Sequence, residues 1–205
     1  MPETVPDWLQ SALHSPHSGH ASLTIAKLAD QKSFGRGNLA LSSPAFRDGE
    51  ELDPCFTAQE EDAVAPPLEW TAPPPGTQEL VIVVEDAGSA AVPTASSDLP
   101  CHWLVWGLAP NSRKLLEGET PPRVGKNSQK NSEWLLPDPA AGDGAHHYVF
   151  QLFALDLPLV LMPGASRAQL HKAIEGHVIS ATVLTGTYEH QPDLLDDWDG
   201  DADGA

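Results

Sequence analysis

Apolar residues in this chain fall into short blocks that either run continuously or alternate with polar ones; a helical period is confined to short segments. Leu80 to Glu85 (LVIVVE) is a continuous β-branched run between Gly76 and Gly88, the pattern of a strand buried on both faces. His102 to Leu108 (HWLVWGL) predicts a second, aromatic-rich strand closed by Pro110. His146 to Leu155 (HHYVFQLFAL) alternates: Tyr148, Phe150, Leu152 and Ala154 share one face, and His147, Val149, Gln151 and Phe153 the other. Val178 to Tyr188 predicts a fourth strand. Between the last two, Ser166 is a good N-cap, Leu170, Ile174 and His177 follow the i, i+4, i+7 spacing, and Gly176 marks the stop. Strands separated by long proline-containing loops, with few helices, predict an all-β sandwich carrying short helices.

The flanks read differently. Residues 1–38 are expected to be an N-terminal arm with a short helix over Val5 to Leu13, whose Trp8, Leu9 and Leu13 lie on one side and would pack on the sandwich or on a second subunit. After it, His14, His17 and His20 recur at a spacing of three within a Ser/Pro/Gly stretch, which reads as a solvated histidine-rich breaker; no metal is expected there, because no Cys or carboxylate stands close by in sequence. The sandwich is expected over 39–190, and residues 191–205 are acidic, low in complexity and expected to be disordered. Asp199, Asp201, Asp203 and Gly204 imitate half a calcium loop, without the bidentate Glu that such a loop requires.

Composition sharpens the class. Twenty prolines in 205 residues favour loops and strand ends over helix interiors. With 29 acidic residues against 11 Lys and Arg, the formal charge is −18, which disfavours nucleic acid and acidic membrane surfaces as partners. A small local anion pocket is still permitted, because screening confines charge effects to about 8–10 Å. Two cysteines, Cys55 and Cys101, do not make a disulfide framework and read as buried thiols. No stretch approaches the ~18 apolar residues of a membrane span, and the first residues lack a secretory pattern, so the expected location is cytoplasmic.

Polar residues with chemical potential punctuate the strands. Asp86 follows the LVIVVE run, His102 opens the second strand, and Gly142, Asp143 and Gly144 lead into His146 and Tyr148. His146 and Tyr148 are two apart and share a strand face, while His147 points away. The glycines would let backbone N–H groups approach a ligand. Two imidazoles, a phenol and backbone donors beside one carboxylate suit a phosphate or carboxylate headgroup. Spacing alone does not bring these segments together.

Several stretches, in order, carry a family resemblance: LSSPAFRDGEEL (Leu41 to Leu52), APPLEW (Ala65 to Trp70), PPGTQELVIVVED (Pro74 to Asp86), CHWLVWGLAP (Cys101 to Pro110), GDGAHHYVFQLFALD (Gly142 to Asp156) and AIEGHVISATVLTGTYE (Ala173 to Glu189). Together they resemble the phosphatidylethanolamine-binding protein family, in its bacterial YbhB/YbcL or Raf kinase inhibitor-like branch. The resemblance implies a mainly β fold, an antiparallel β-sandwich of the phosphatidylethanolamine-binding type with a few peripheral helices. It also implies a surface pocket for phosphate-like headgroups or nucleotides, with Asp86 at the first acid of the family's Asp-Pro-Asp-Ala-Pro motif, His102 at its strand histidine, and His146 and Tyr148 in its His-Arg-Tyr motif. Gly144 completes the expected ligand-binding set of Asp86, His102, Gly144, His146 and Tyr148. The chain departs from the pattern at Ala87-Gly88-Ser89-Ala90, at Ala63 and Ala65, at His147 in place of Arg, and at Leu135-Leu136, which implies a looser pocket wall.

The sequence therefore supports a small, soluble, non-enzymatic binding protein for a small anionic ligand, regulating a protein partner and possible as a homodimer. The alternative is a kinase or serine-peptidase inhibitor that acts by protein–protein contact with a degenerate pocket. A hydrolase would have to draw Ser89 or Ser97 together with His102 and Asp86, and no G-x-S-x-G elbow is present. No cofactor is implied.

Overall fold

The computed structural model describes residues 4–92 and 98–190; the acidic tail with its calcium-loop imitation, and Ser97, lie outside the described residues. In chain order the elements are α1 (Asp7–Gln10), a 3-10 turn (Ser18–Ser22), α2 (Thr24–Leu28), β1 (Leu41–Ser42), β2 (Leu68–Trp70), β3 (Glu79–Ser89), β4 (Cys101–Leu108), β5 (Lys114–Leu115), β6 (Arg123–Val124), β7 (His146–Leu155), α3 (Arg167–Ile174) and β8 (Val178–Tyr188). The long strands form a five-stranded sheet in the order β6-β4-β3-β7-β8, and β1-β2-β5 form a smaller one. Every pairing within both sheets is antiparallel.

The unbroken apolar run of β3 has a direct structural cause. β3 is the middle strand of the large sheet and all of its residues are buried. Leu80, Ile82 and Val84 face the small sheet, in a core shared with Leu41, Trp70, Val105 and Phe150. Val81 and Val83 face the other way, into a second core with Leu104, Trp106, Val149 and Phe153. That outer core is roofed by Leu9, Leu23 and Ile25 from the N-terminal residues and by Leu170 and Ile174 from α3. Ser166 caps α3 as its sequence predicts, accepting from Gln169 N while the Gln169 side chain accepts from Ser166 N.

Two N-terminal expectations need correction. The helix expected over Val5 to Leu13 contracts to Asp7–Gln10, and Leu9 and Leu13 are buried on the chain's own sheet, so they are spent within one molecule. The histidine-rich breaker is not solvated: Gly19, His20 and Ala21 are buried. Gly19 explains it, since a Cβ there would lie 1.8 Å from the Ala87 carbonyl oxygen; only glycine lets the turn settle directly on β3.

A buried polar clasp holds these N-terminal residues down. Glu85 accepts from Thr24 N (2.7 Å), Thr24 Oγ1 (2.8 Å), Gln151 Nε2 (2.8 Å) and Arg167 Nη1 (2.8 Å). Gln151 Oε1 in turn accepts from Ile25 N at 2.7 Å. Each buried donor thus meets an acceptor across three separate elements.

Candidate functional site

Two irregularities in the sheet build the site. Val84 pairs with Trp103 but Glu85 pairs with Cys101, so β4 carries one residue more than β3 at this point. The extra residue is a β-bulge, and it turns His102 onto the same face as Tyr148, re-aiming one side chain as bulges do. Along β3, Asp86 pairs with Tyr148 and Ser89 with His146, which puts a second extra residue around Gly88. Gly88 takes it up with φ 78°, a left-handed conformation open to glycine. The Ala-Gly-Ser sequence that replaces the proline-rich motif therefore forms a bulge rather than a proline-stiffened wall.

The structure brings Asp86, His102, His146 and Tyr148 into one cluster on the inner face at this end of the sheet. Asp86 Oδ2 accepts from His146 Nδ1 at 2.8 Å, and Oδ1 accepts from Gly88 N at 2.7 Å. The Asp86 contact raises the pKa of His146, against partial burial, so its imidazolium is favoured. His102 stands edge-on to Tyr148, ring centroids 5.0 Å apart at 84°, and the His146 ring is inclined 29° to Tyr148 at 6.4 Å. His102 Nδ1 donates to the Leu135 carbonyl at 2.6 Å, which assigns the proton of the neutral ring to Nδ1 and leaves a lone pair on Nε2. Burial lowers the His102 pKa and raises that of the Tyr148 phenol. Gly144, at φ 79°, lies over Ser89 and Ala91 on the Asp143 side of His146.

The cluster is deep: Asp86 is 7% exposed, His102 5% and Tyr148 1%, so His146 is its most open member. Trp134, 6.1 Å from His102, also lines a hollow of about 530 Å³ with Trp103, Leu136, Ala63 and Ala65. Sequence reading missed the Leu135 carbonyl and Trp134, because both come from an irregular loop with no periodic signal. The serine–histidine–aspartate set is not assembled around Ser89. Asp86 binds His146 rather than His102, and Ser89 Oγ donates to the Asp143 carbonyl.

Across β7, on the opposite sheet face, His147 meets His17 and His20. Among the described residues this is the one group of three metal-ligating side chains.

The family model described as phosphatidylethanolamine-binding protein matches residues 42–189. A candidate lipoprotein, LppC, of Mycobacterium tuberculosis is 39% identical over 155 residues, 74% of this chain and 72% of that protein. The UPF0098 protein PH1269 of Pyrococcus horikoshii is 34% identical over 157 residues, 73% of this chain and 76% of that protein. The crystal structure of the phosphatidylethanolamine-binding protein homologue CT736 from Chlamydia trachomatis superposes with a TM-score of 0.67 at 32% identity, covering 75% of this chain and 98% of the other. That of Escherichia coli YbcL shares the fold with a TM-score of 0.66 at 20% identity, covering 75% and 99%.

Proposed function

The chain belongs to the phosphatidylethanolamine-binding protein family, and from that premise we propose that it binds a small phosphate-like or carboxylate anion at Asp86, His102, His146 and Tyr148, with the Gly144 backbone closing one side. The observation that carries this reading is the 2.8 Å Asp86–His146 pair on the same face as His102 and Tyr148. Asp86 holds His146 so that its Nε2–H turns toward the half-exposed Asp143 carboxylate, 3.9 Å away, and an anionic oxygen would take that N–H in place of Asp143. One imidazolium between the Asp86 and Asp143 carboxylates leaves little positive charge to spare, so the site matches a monoanion better than a dianion. A phosphate monoester that keeps one proton would donate it to His102 Nε2 while accepting from His146. A dianion would need His102 to take up a proton. Phospholipid headgroups and nucleotides both present such oxygens.

Titration with phosphoethanolamine, read from the imidazole shifts of His102 and His146, tests the reading: saturable movement of both rings in the parent and its loss in His146→Ala is the expected result. No movement at millimolar ligand overturns it.

A protein partner belongs to the same proposal, with the anion site acting as its switch. The burial of the cluster favours a second reading, inhibition of a kinase or serine peptidase by surface contact alone; inhibition that survives His146→Ala would select it. No helix among the described residues is long and apolar enough to cross a membrane. We read the protein as cytoplasmic, in keeping with the free thiols of Cys55 and Cys101. The name of the mycobacterial relative points toward the envelope instead, and cell fractionation separates the two. A homodimer would have to use surfaces other than Leu9 and Leu13, and light scattering tests for it.

A further inference from the structure

We propose that His17, His20 and His147 form a site for a borderline divalent transition metal such as zinc, held between the N-terminal 3-10 turn and the outer face of β7. The three rings arrive from two directions. His17 caps the turn and His20 follows three residues later; with three residues per turn, i and i+3 eclipse, so both imidazoles leave the same side. His147 lies in β7 between two residues of the anion cluster, and strand alternation turns it to the opposite face, under the turn.

The ligand atoms already lie close to coordination geometry. All three imidazole nitrogens fall within 4.8 Å of one another. His147 Nδ1 and His20 Nε2 are 3.3 Å apart. A tetrahedral ion with bonds of about 2.0–2.1 Å sets its ligand nitrogens about 3.3–3.4 Å apart, so one edge of the tetrahedron is present and the third ring must close by up to about 1.5 Å.

A hydrogen-bonded pair accounts for His20 and His147 without a metal, and His17 Nδ1 accepts from Gly19 N at 3.3 Å as the cap of the turn. His17 Nε2 is buried and has no hydrogen-bond partner. Nε2 offers a cation its lone pair when the ring proton sits on Nδ1, so metal binding would exchange the Gly19 N–H···Nδ1 cap bond for a coordinate bond. His20 Nδ1 lies 3.1 Å from the His17 N–H and 3.2 Å from the His17 carbonyl; the tautomer that donates to the carbonyl leaves Nε2 a lone pair and gives the kind of main-chain support that orients metal-bound histidines. Three imidazoles with no thiolate select zinc, copper or nickel over calcium or magnesium, and three protein ligands leave a further position for water or an added ligand.

The test uses the full-length chain without an affinity tag, stripped with a chelator. Zinc is titrated calorimetrically, and cobalt is substituted to read ligand-field absorption. One zinc per chain, a tetrahedral cobalt spectrum, and at least about tenfold weaker binding in both His17→Gln and His147→Gln are expected. The half-buried His17 serves as the second variant in case His147→Gln disturbs β7, with circular dichroism confirming that each is folded. Absence of saturable zinc binding overturns the proposal. So does zinc binding of unchanged affinity in a folded His17→Gln, which would assign the ion to other groups such as the acidic tail.

Discussion

Replacing Glu85 by glutamine should be the most damaging near-isosteric change in the molecule. The carboxylate is 1% exposed and serves four donors: two on Thr24, one on Gln151 and one on Arg167. Glutamine keeps one carbonyl oxygen, enough for two of those donors, and turns an NH₂ group toward the other two. Each buried donor left unpaired costs about 1–3 kcal/mol, and breaking a buried ion pair from one side costs about 3–5 kcal/mol. These describe overlapping losses rather than additive ones, so a destabilisation of about 4 kcal/mol is expected. Urea unfolding at neutral pH, followed by tryptophan fluorescence, measures it. Because Thr24 is the handle, residues 23–38 should also become protease-sensitive before the strands do. A loss within about 0.5 kcal/mol, the range of an exposed surface change, would refute the argument.

Gly19→Ala drives a Cβ to 1.8 Å from the Ala87 carbonyl oxygen, and since neither partner is a flexible side chain, a loss of about 3 kcal/mol or more is expected in the same assay. Sulfate, whose charge is constant near neutrality, should bind more tightly as pH falls. Burial lowers the pKa of free His102 and a bound anion raises it, so binding takes up a proton, strengthening by at most about tenfold per pH unit for one ring. Asp86, His146, Asp143 and Tyr148 surround this region, and His146 titrates in the same direction, so the part lost in His102→Gln isolates the His102 contribution; affinity that falls on acidification would contradict the assignment. Burial pushes both Cys55 and Cys101 thiols up to about 12, so alkylation should be slow in the native protein and fast in urea, and rapid native labelling of Cys101 would contradict its burial.

The long elements were legible in the sequence because burial imposes period on them. β7 and β8 carry the bounds their alternation predicts, and the unbroken run of β3 marks the sheet's middle strand. What periodicity could not show was anything set by a change of register. His102 reaches the face of Tyr148 only through the bulge opposite Glu85, and no local feature of HWLVWGL announces it. The burial of His20 was hidden for a different reason. Ser-Pro-His-Ser-Gly-His reads as polar, and only the approach of Gly19 to β3 reveals that the segment is interior. The family resemblance gathered Asp86, His102, His146 and Tyr148; it said nothing of His17, which precedes the matched residues.

The bulge in β4 also makes the inner cluster depend on arithmetic as much as on chemistry. Deleting Cys101 would leave the ladder from Trp103 onward intact and close the mismatch opposite Glu85. The imidazole at the strand's start would then swing to the outer face that Cys101 now occupies, leaving the inner groups where they are. Homologous chains that keep the histidine but lose the surplus residue should therefore retain the sheet and forfeit the partner of Tyr148.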